Sequence, residues 1–460
     1  MTGVTPTRRV VVVGNSVAGL LTALVFAEHA QRVTILDRDR IPDAPVHRPG
    51  VPQSRHVHVL LAGGQRALES MLPGVLDEFA ALGVPAVGLP RDMIQLNRGR
   101  WVRRWHDSLP FLTGTRPLIE HIVRARVLAD PRIEAIDSIE AVGLLGDRDR
   151  VHGVLVRRRG GDAEAKPEPL AADLVVDASG RGSRTPQWLT EIGGRAPVEE
   201  RIETGLAYAT RVYRATIDPA VAQYGGIYLV PHPRMPRAVV VLPIEEPGLY
   251  LVTMSGITGN HPPTDPDGFE AYADRLEHPI VSEWLASATA QGPPVGQRST
   301  ANIRRRYDRL AGPEGLLVVG DAATAFNPAY GQGMSVAAIG ALAVQRALAA
   351  GHSIRRVQKA VIDAGRQAWS ISGGVDRSMP GATGNAARLS TADRVSGWYL
   401  DRLQIHGASR PEIGGAFGAV LHLVAPVNTL FAWRIARTVL FGRIRPAPAQ
   451  PPWFPEPPPA

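Results

Sequence analysis

The sequence predicts an α/β fold: a parallel sheet with helices on its faces, an inserted antiparallel sheet, and a helical C-terminal region. Three observations predict it. Short runs rich in valine and leucine recur at Val10–Val13, Arg32–Leu36, Leu174–Val176 and Leu316–Val319, each followed by glycine or aspartate; buried parallel strands read this way. Between residues 206 and 255 the pattern changes to longer strand-like segments with turn residues between them. Residues 353–440 read as mostly helical.

The elements follow in order. Thr7-Arg8-Arg9 and four valines read as a first strand rather than a twin-arginine signal. Val17–His29 has helical apolar spacing and leads to the second run, which ends at Asp37. Residues 41–64, rich in Pro, His, Arg and Gly, read as a long loop. Gln65–Leu72 is a helix stopped by Pro73. Arg98–Trp105 alternates basic and aromatic residues and reads as a strand with Trp101, Arg103 and Trp105 on one face. Pro117–Leu128 is a helix with proline at its first position and an apolar stripe at Leu118, Ile122 and Ala125. Ala135–Val142 and Arg150–Arg158 read as strands, as do Leu206–Ile217, Gly226–Val230, Arg237–Leu242 and Leu249–Ser255. Met334–Ala350 is a long helix, and residues 444–460 form a proline-rich, disordered tail.

Composition narrows the function. The 460 residues carry 51 Lys+Arg against 43 Asp+Glu, and only Lys166 and Lys359 are lysines. The arginines alternate with acids, as in Asp37-Arg38-Asp39-Arg40, which is the pattern of a solvated surface and not of a nucleic-acid tract. Arg98–Trp105 is the best candidate for stacking on bases, yet it fits a sheet beside a cavity equally well. No cysteine is present, which excludes disulfides, thiolate metal sites, a thiol nucleophile and a flavin tethered through sulfur. His56 and His58 have no third ligand at metal spacing, so no metal site is assigned. The apolar stretch 415–435 is broken by His422, Pro426, Asn428 and Arg434; it is a poor spanning helix and a candidate for peripheral membrane contact.

Two motifs carry chemistry. In Gly14-Asn15-Ser16-Val17-Ala18-Gly19 a strand turns into a helix, and Asp37 follows 23 residues after Gly14. Gly14 suits the tight turn and Gly19 the close helix–strand contact of a Rossmann-like dinucleotide fold; Ser16 replaces the middle glycine and offers a hydroxyl to a phosphate. Asp37 suits the hydroxyl pair of a ribose. In Gly320-Asp321 and Pro328…Gly331-Gln332-Gly333-Met334 a strand ends at an aspartate and a glycine-rich loop opens a helix. Asp321 suits the hydroxyls of a ribityl or ribose chain, and the amides of 331–334 suit an anionic ring.

The run GDAATAFNPAYGQGMS, with GNSVAG and Asp37, resembles the FAD-dependent monooxygenases of the para-hydroxybenzoate hydroxylase type. The resemblance covers roughly residues 8–350. It implies non-covalent FAD, with Asp321 on the ribityl chain and Pro328, Gly331, Gln332, Gly333 and Met334 beside the isoalloxazine. It likewise implies Arg116 near the pyrophosphate and Arg38 beside the adenosine. Pro52–Leu61, Asp177–Arg184 and Gly397–Leu403 are similar to actinobacterial polyether-pathway flavin epoxidases, and less so to squalene epoxidase. Family hydroxylases carry an Asp-Gly pair tied to FAD and NADPH; here Ser179-Gly180 stands in its place. The reductant is therefore left open among NADPH, NADH and a partner flavin reductase.

By this resemblance the chain divides into FAD-binding residues 8–195 and 311–352, a β-sheet substrate domain at 196–310, a helical region at 353–440 and a tail at 441–460. It implies transfer of oxygen from a flavin C4a-hydroperoxide, with O2 as co-substrate, epoxidising or hydroxylating a lipophilic polyketide, terpenoid or aromatic metabolite. Gln53, Arg55, His56 and Trp101 are candidates for the substrate pocket, and no catalytic base is assigned. The alternatives are a flavin-dependent reductase of C=C bonds, resembling geranylgeranyl reductase, and a basic nucleic-acid-binding module. A cytoplasmic location is expected, peripheral to a membrane if 415–435 makes contact.

Overall fold

The computed structural model describes residues 7–105, 108–160, 166–215, 224–298 and 300–455. The predicted strand end at 216–217 and the tail residues 456–460 lie outside the described residues.

A five-stranded parallel sheet forms the centre. Its strands are β1 (Thr7–Val13), β2 (Ala30–Leu36), β3 (Ile133–Ile136), β4 (Leu174–Asp177) and β5 (Leu316–Val318), in the order β5-β4-β1-β2-β3. Val10, Val11 and Val12 are at most 2% exposed, in one apolar core with helix residues such as Leu20 and Phe26 and with Val154 and Val156 of the strand Val151–Arg158. Helix α1 (Val17–Ala27) packs on it through Leu20, Leu21 and Phe26. The strand order reverses at β1, and such a switch point leaves a crevice beyond the strand's carboxyl end.

The predicted run 135–142 is two strands, because β3 ends at Ile136 and a second strand, Ile139–Gly146, begins after Ser138 at φ 54°. The latter pairs with Val151–Arg158, and a three-stranded meander fills the connection from β3 to β4.

The connection from β4 to β5 carries most of the second sheet. Its order is Ala288–Gln297, Ala207–Ala215, Leu249–Gly256, Arg237–Pro243, Gly226–Val230, Met93–Asn97 and Arg100–Trp101. One pairing, Gly226–Val230 with Met93–Asn97, is parallel, so this sheet is not wholly antiparallel and draws two strands from far upstream. Alternation sorts its residues by face. Ile227, Val239 and Val241 pack with Phe269 and Trp284 of two short helices, whereas Tyr228, Val240 and Leu242 face the other way.

Arg98–Trp105 is not one strand. Arg98 and Gly99 take positive φ and turn a hairpin, so pairing ends at Trp101. Helix α2 (Arg116–Leu128) buries Ile119, Ile122, Val123 and Val127; Ala125 is exposed and Leu118 only half-buried, so the stripe lies one position from the predicted one. The cover is built from α3 (Gly333–Ala349), α4 (Ile354–Ala364), α5 (Arg366–Ser378), α6 (Thr391–Gly407), α7 (Pro411–Leu421) and α8 (Trp433–Phe441). The proline tail is extended but docked: the carbonyls of Pro452 and Trp453 accept from the Arg104 guanidinium, and Trp453 packs on Tyr224. No helix among the described residues is long and apolar enough to cross a membrane.

Candidate active site

A cavity of about 1520 Å³ opens at the carboxyl ends of β1, β2, β4 and β5 and extends to the second sheet and the helical cover. Small-molecule pockets run from roughly 300 to 1,000 Å³, so this one has room for a cofactor and a second ligand. Gly14, Ser16, Val17, Ala18, Asp37, Arg38, Arg116, Gly320, Asp321, Pro328, Gly331, Gln332, Gly333 and Met334 all line it. Gly19 does not; a Cβ there would come within 1.9 Å of the Gly14 carbonyl oxygen, so its role is close packing of α1.

The β1 end carries a dense charge network. Ser16 Oγ donates to Glu120 Oε1 at 2.5 Å and accepts from Arg116 Nη2 at 2.9 Å, while Arg116 Nε reaches Glu120 Oε1 at 2.8 Å. The serine proton is thus spent on Glu120, and Ser16 positions Arg116 instead of offering that proton to a phosphate. Arg48 donates to Asp37 Oδ2 at 2.8 Å, to the Asn15 carbonyl at 3.0 Å and to Glu120 Oε2 at 3.3 Å. Burial pushes the Glu120 carboxyl up, but Arg116 and Arg48 outweigh it and hold it at about 2. Asp37 also accepts from the backbone N–H of Asn15 and Asp39. Three donors leave its carboxylate about one acceptor site, enough for one hydroxyl rather than a pair.

Asp321 sits at the β5 end. Burial pushes its carboxyl up, against the pull of Arg181, Arg116 and Arg305. Arg181 also lines the cavity, held by the carbonyls of Ala301 and Phe326. The Ser179 hydroxyl donates to Asp177 Oδ1 at 2.6 Å, which ties down the segment standing for the family's Asp-Gly pair.

A third group escaped the sequence reading. Asp376 of α5 is 2% exposed and accepts from Tyr330 Oη at 2.5 Å, Asn302 Nδ2 at 2.6 Å and Asn327 Nδ2 at 3.0 Å. Burial pushes its carboxyl up to about 6, against those three hydrogen bonds. Burial, and then Asp376 itself, raise the Tyr330 phenol well above its ordinary value. Both side chains line the cavity beside the Pro328–Gly331 loop.

The substrate-pocket candidates separate. Gln53 and His56 line the cavity. His56 Nδ1 bonds Thr210 Oγ1 at 2.8 Å, Nε2 has no partner, and burial lowers its pKa to about 4, so the ring is neutral at pH 7. Arg55 is exposed and outside the lining. Trp101 lies in the core of the second sheet, edge-on to His278 at 4.9 Å, because its strand turns that face toward the covering helices. Trp105 is 5% exposed and Arg104 1%, so the Arg98–Trp105 segment presents no aromatic face to a base.

The cavity wall has unused polar capacity. Both amide atoms of Asn15 and Oε1 of Gln332 are buried without a partner, and a Cβ on Gly180, Gly182 or Gly333 would meet nothing within 4 Å. Buried orphans and cleared space of this kind fit a bound polar ligand. The profile of the FAD binding domain family matches residues 7–359.

The chain belongs to this family of FAD-binding proteins. Among relatives of this FAD-binding chain, Protein Rv3254 of Mycobacterium tuberculosis is 35% identical over 355 residues, spanning 76% of this chain and 74% of that one. The 6-methylpretetramide 4-monooxygenase of Streptomyces rimosus is 26% identical over 377 residues, spanning 77% and 78%. The crystal structure of p-nitrophenol 4-monooxygenase from Pseudomonas putida superposes with a TM-score of 0.59 at 17% identity, covering 85% of this chain and 92% of that one; the likeness is one of fold.

Proposed function

We propose that this protein is an FAD-dependent monooxygenase that hydroxylates a lipophilic aromatic or polyketide substrate bearing a phenol. The observation that carries the reading is the Tyr330–Asp376 pair in the wall of the cavity. An arene is attacked more readily as its phenolate, so hydroxylation gains from a base where epoxidation needs none. Monooxygenation also agrees with the name of the Streptomyces rimosus relative, a 6-methylpretetramide 4-monooxygenase.

In this reading Asp321 holds the ribityl chain and Asp37 a ribose hydroxyl. Arg116, braced by Ser16 and Glu120, faces the pyrophosphate, and the amides of Gly331–Met334 face the ring. FAD, when bound and reduced, would supply the electrons that activate O2, the source of the oxygen atom that is transferred. The protein contributes proton transfer. A substrate phenol donates to Tyr330 Oη as Tyr330 passes its own proton to Asp376 Oδ1, leaving a phenolate substrate and a neutral carboxyl group. Above pH about 6 Asp376 is ionised and ready to accept. The apolar wall, including Val59, Met93, Phe111 and Leu421, excludes water.

Turnover under labelled O2 tests the reading: one labelled oxygen enters the product, and product formed under strict anaerobiosis overturns it in favour of C=C reduction. Epoxidation is the second reading, supported by the resemblance of 52–61 and 397–403; an alkene substrate converted at a rate independent of Tyr330 selects it. With Ser179 in place of the family aspartate, NADPH or NADH alone is expected to reduce the flavin slowly, and a flavin reductase to supply the electrons. Rapid reduction by NADPH in stopped flow overturns that part alone.

A further inference from the structure

The exposed apolar surface is distributed unevenly. Among the described residues every exposed tryptophan and phenylalanine lies beyond Gly397: Trp398, Phe431, Trp433, Phe441, Trp453 and Phe454. Trp433 and Phe441, at the two ends of α8, are 72% and 78% exposed. With Arg437 and Leu440 they form one side of the helix at i, i+4, i+7 and i+8, while Val439 points inward and is fully buried. Buried aromatics dominate cores because water disfavours them; these are presented to solvent.

Along the segment that carries α8 the charge is of one sign, whereas the rim at Trp398 also holds Asp401, paired with Arg98. From Ile413 to Pro455 the chain contains Arg434, Arg437, Arg443 and Arg445 and no aspartate or glutamate. All four arginines are exposed. Elsewhere many surface arginines sit beside acids, as in Arg32–Glu134 and Arg214–Glu246. A helix that combines outward Trp, Phe and Leu with arginine and lacks acids has the composition of an interfacial helix.

The patch is continuous with the entrance of the cavity. The Arg402 guanidinium stacks over Trp398 at 5.5 Å and donates to the Val439 carbonyl of α8 at 2.9 Å. Tyr399 stacks on Phe431 at 4.8 Å. Trp398 and Phe431 are both half exposed and both line the cavity, so they form its rim. Of the stretch 415–435 predicted for membrane contact, 415–430 lies behind this rim: Phe417, Val420 and Leu430 line the cavity, and the outward face belongs to 431–444.

We propose that α8 and the flanking Phe431 and Ile444 dock the enzyme in the plane of an anionic lipid surface, with the cavity mouth facing the membrane. With only nine residues, α8 is far short of the roughly 20 needed to span a bilayer, so it lies on the surface. The arginines choose the occupant. Self-association through a two-fold axis sets the patch against itself and opposes arginine to arginine, whereas anionic headgroups neutralise all four and the rings enter the acyl boundary. The proposal does not depend on which oxygenation the site performs.

The test is sedimentation of the FAD-loaded full chain with vesicles of phosphatidylcholine, alone or mixed with phosphatidylglycerol. Co-sedimentation is expected with the mixed vesicles, weaker with phosphatidylcholine alone, and reversed by high salt. The double variant Trp433→Ser/Phe441→Ser and the double variant Arg434→Gln/Arg437→Gln should each bind roughly tenfold more weakly, with flavin content and Tm unchanged. Absence of binding to the mixed vesicles overturns the proposal, as does binding as strong as wild type by both variants. A dimer in sedimentation velocity that Trp433→Ser/Phe441→Ser dissolves overturns it in favour of a self-interface.

Discussion

The two ends of the cavity are built on opposite principles. At the carboxyl ends of the parallel sheet, Ser16, Arg48, Arg116 and Glu120 are locked together in a buried ionic network. At the other end apolar side chains predominate in the wall, and Trp398 and Phe431, which solvent reaches, stand at its rim. A buried charge is tolerable only with its partners, so the first end is rigid and intolerant of change. Apolar contact is non-directional, so the second end can admit differently shaped ligands. In the proposed reading, recognition of an invariant cofactor falls to the rigid end and recognition of substrate to the soft one.

The sharpest way to break this contrast is Glu120→Ala, which removes the carboxylate paired with Arg116 and one of the two paired with Arg48. A loss of about 3–5 kcal/mol of stability is expected in denaturant unfolding of the flavin-free protein. The wild type carries a related pH signature. The folded pKa of Glu120 is depressed to about 2 from 4.5, so its contribution is complete above pH about 4.5 and is lost as pH falls toward 2. Unfolding midpoints unchanged between pH 5 and 3 would mean that the network does not brace this end.

Tyr330→Phe comes next. Loss of the relay should slow single-turnover hydroxylation about 100-fold with flavin retention intact. The wild-type rate should rise with pH through about 6, as Asp376 ionises, and both Tyr330→Phe and Asp376→Asn should flatten that rise. A pH profile identical to wild type in Tyr330→Phe removes the pair from the chemistry.

Asp321→Ala should weaken FAD binding by roughly 10- to 100-fold, the cost of a hydrogen bond to a charged group, read as the flavin-to-protein absorbance ratio after gel filtration. An unchanged ratio contradicts the ribityl assignment. Trp398→Ala should act only at the soft end, raising KM about fivefold through lost ring contact and leaving FAD retention alone. A fall in flavin content there would show that the two ends are not independent.

Legibility in the sequence followed the same divide. The βαβ unit and the Gly320–Met334 loop could be read because each is local: a few residues in order specify a strand, a turn and a helix start. Glu120 was legible in principle, standing four residues after Arg116 on one helix face. Arg48 was not, since it reaches Asp37 and Glu120 from a long loop with no periodicity. Tyr330 and Asp376 are 46 positions apart and meet only because α5 packs against the loop. Trp101 misled because alternation marks two faces without saying which one is covered; a hairpin at Arg98-Gly99 and two short helices decide that.

The sequence by itself determined the class of fold, the carboxyl-end position of the cofactor loops and the absence of thiol chemistry, because these depend on local periodicity, glycine geometry and residue type. Only the tertiary structure decided which acid stands beside the ring loop, which face of the second sheet meets the cavity and where the exposed aromatic rim lies. Those outcomes rest on contacts between segments far apart in the chain, and the burial that shifts a carboxyl to about 6 exists only once those segments have closed around it.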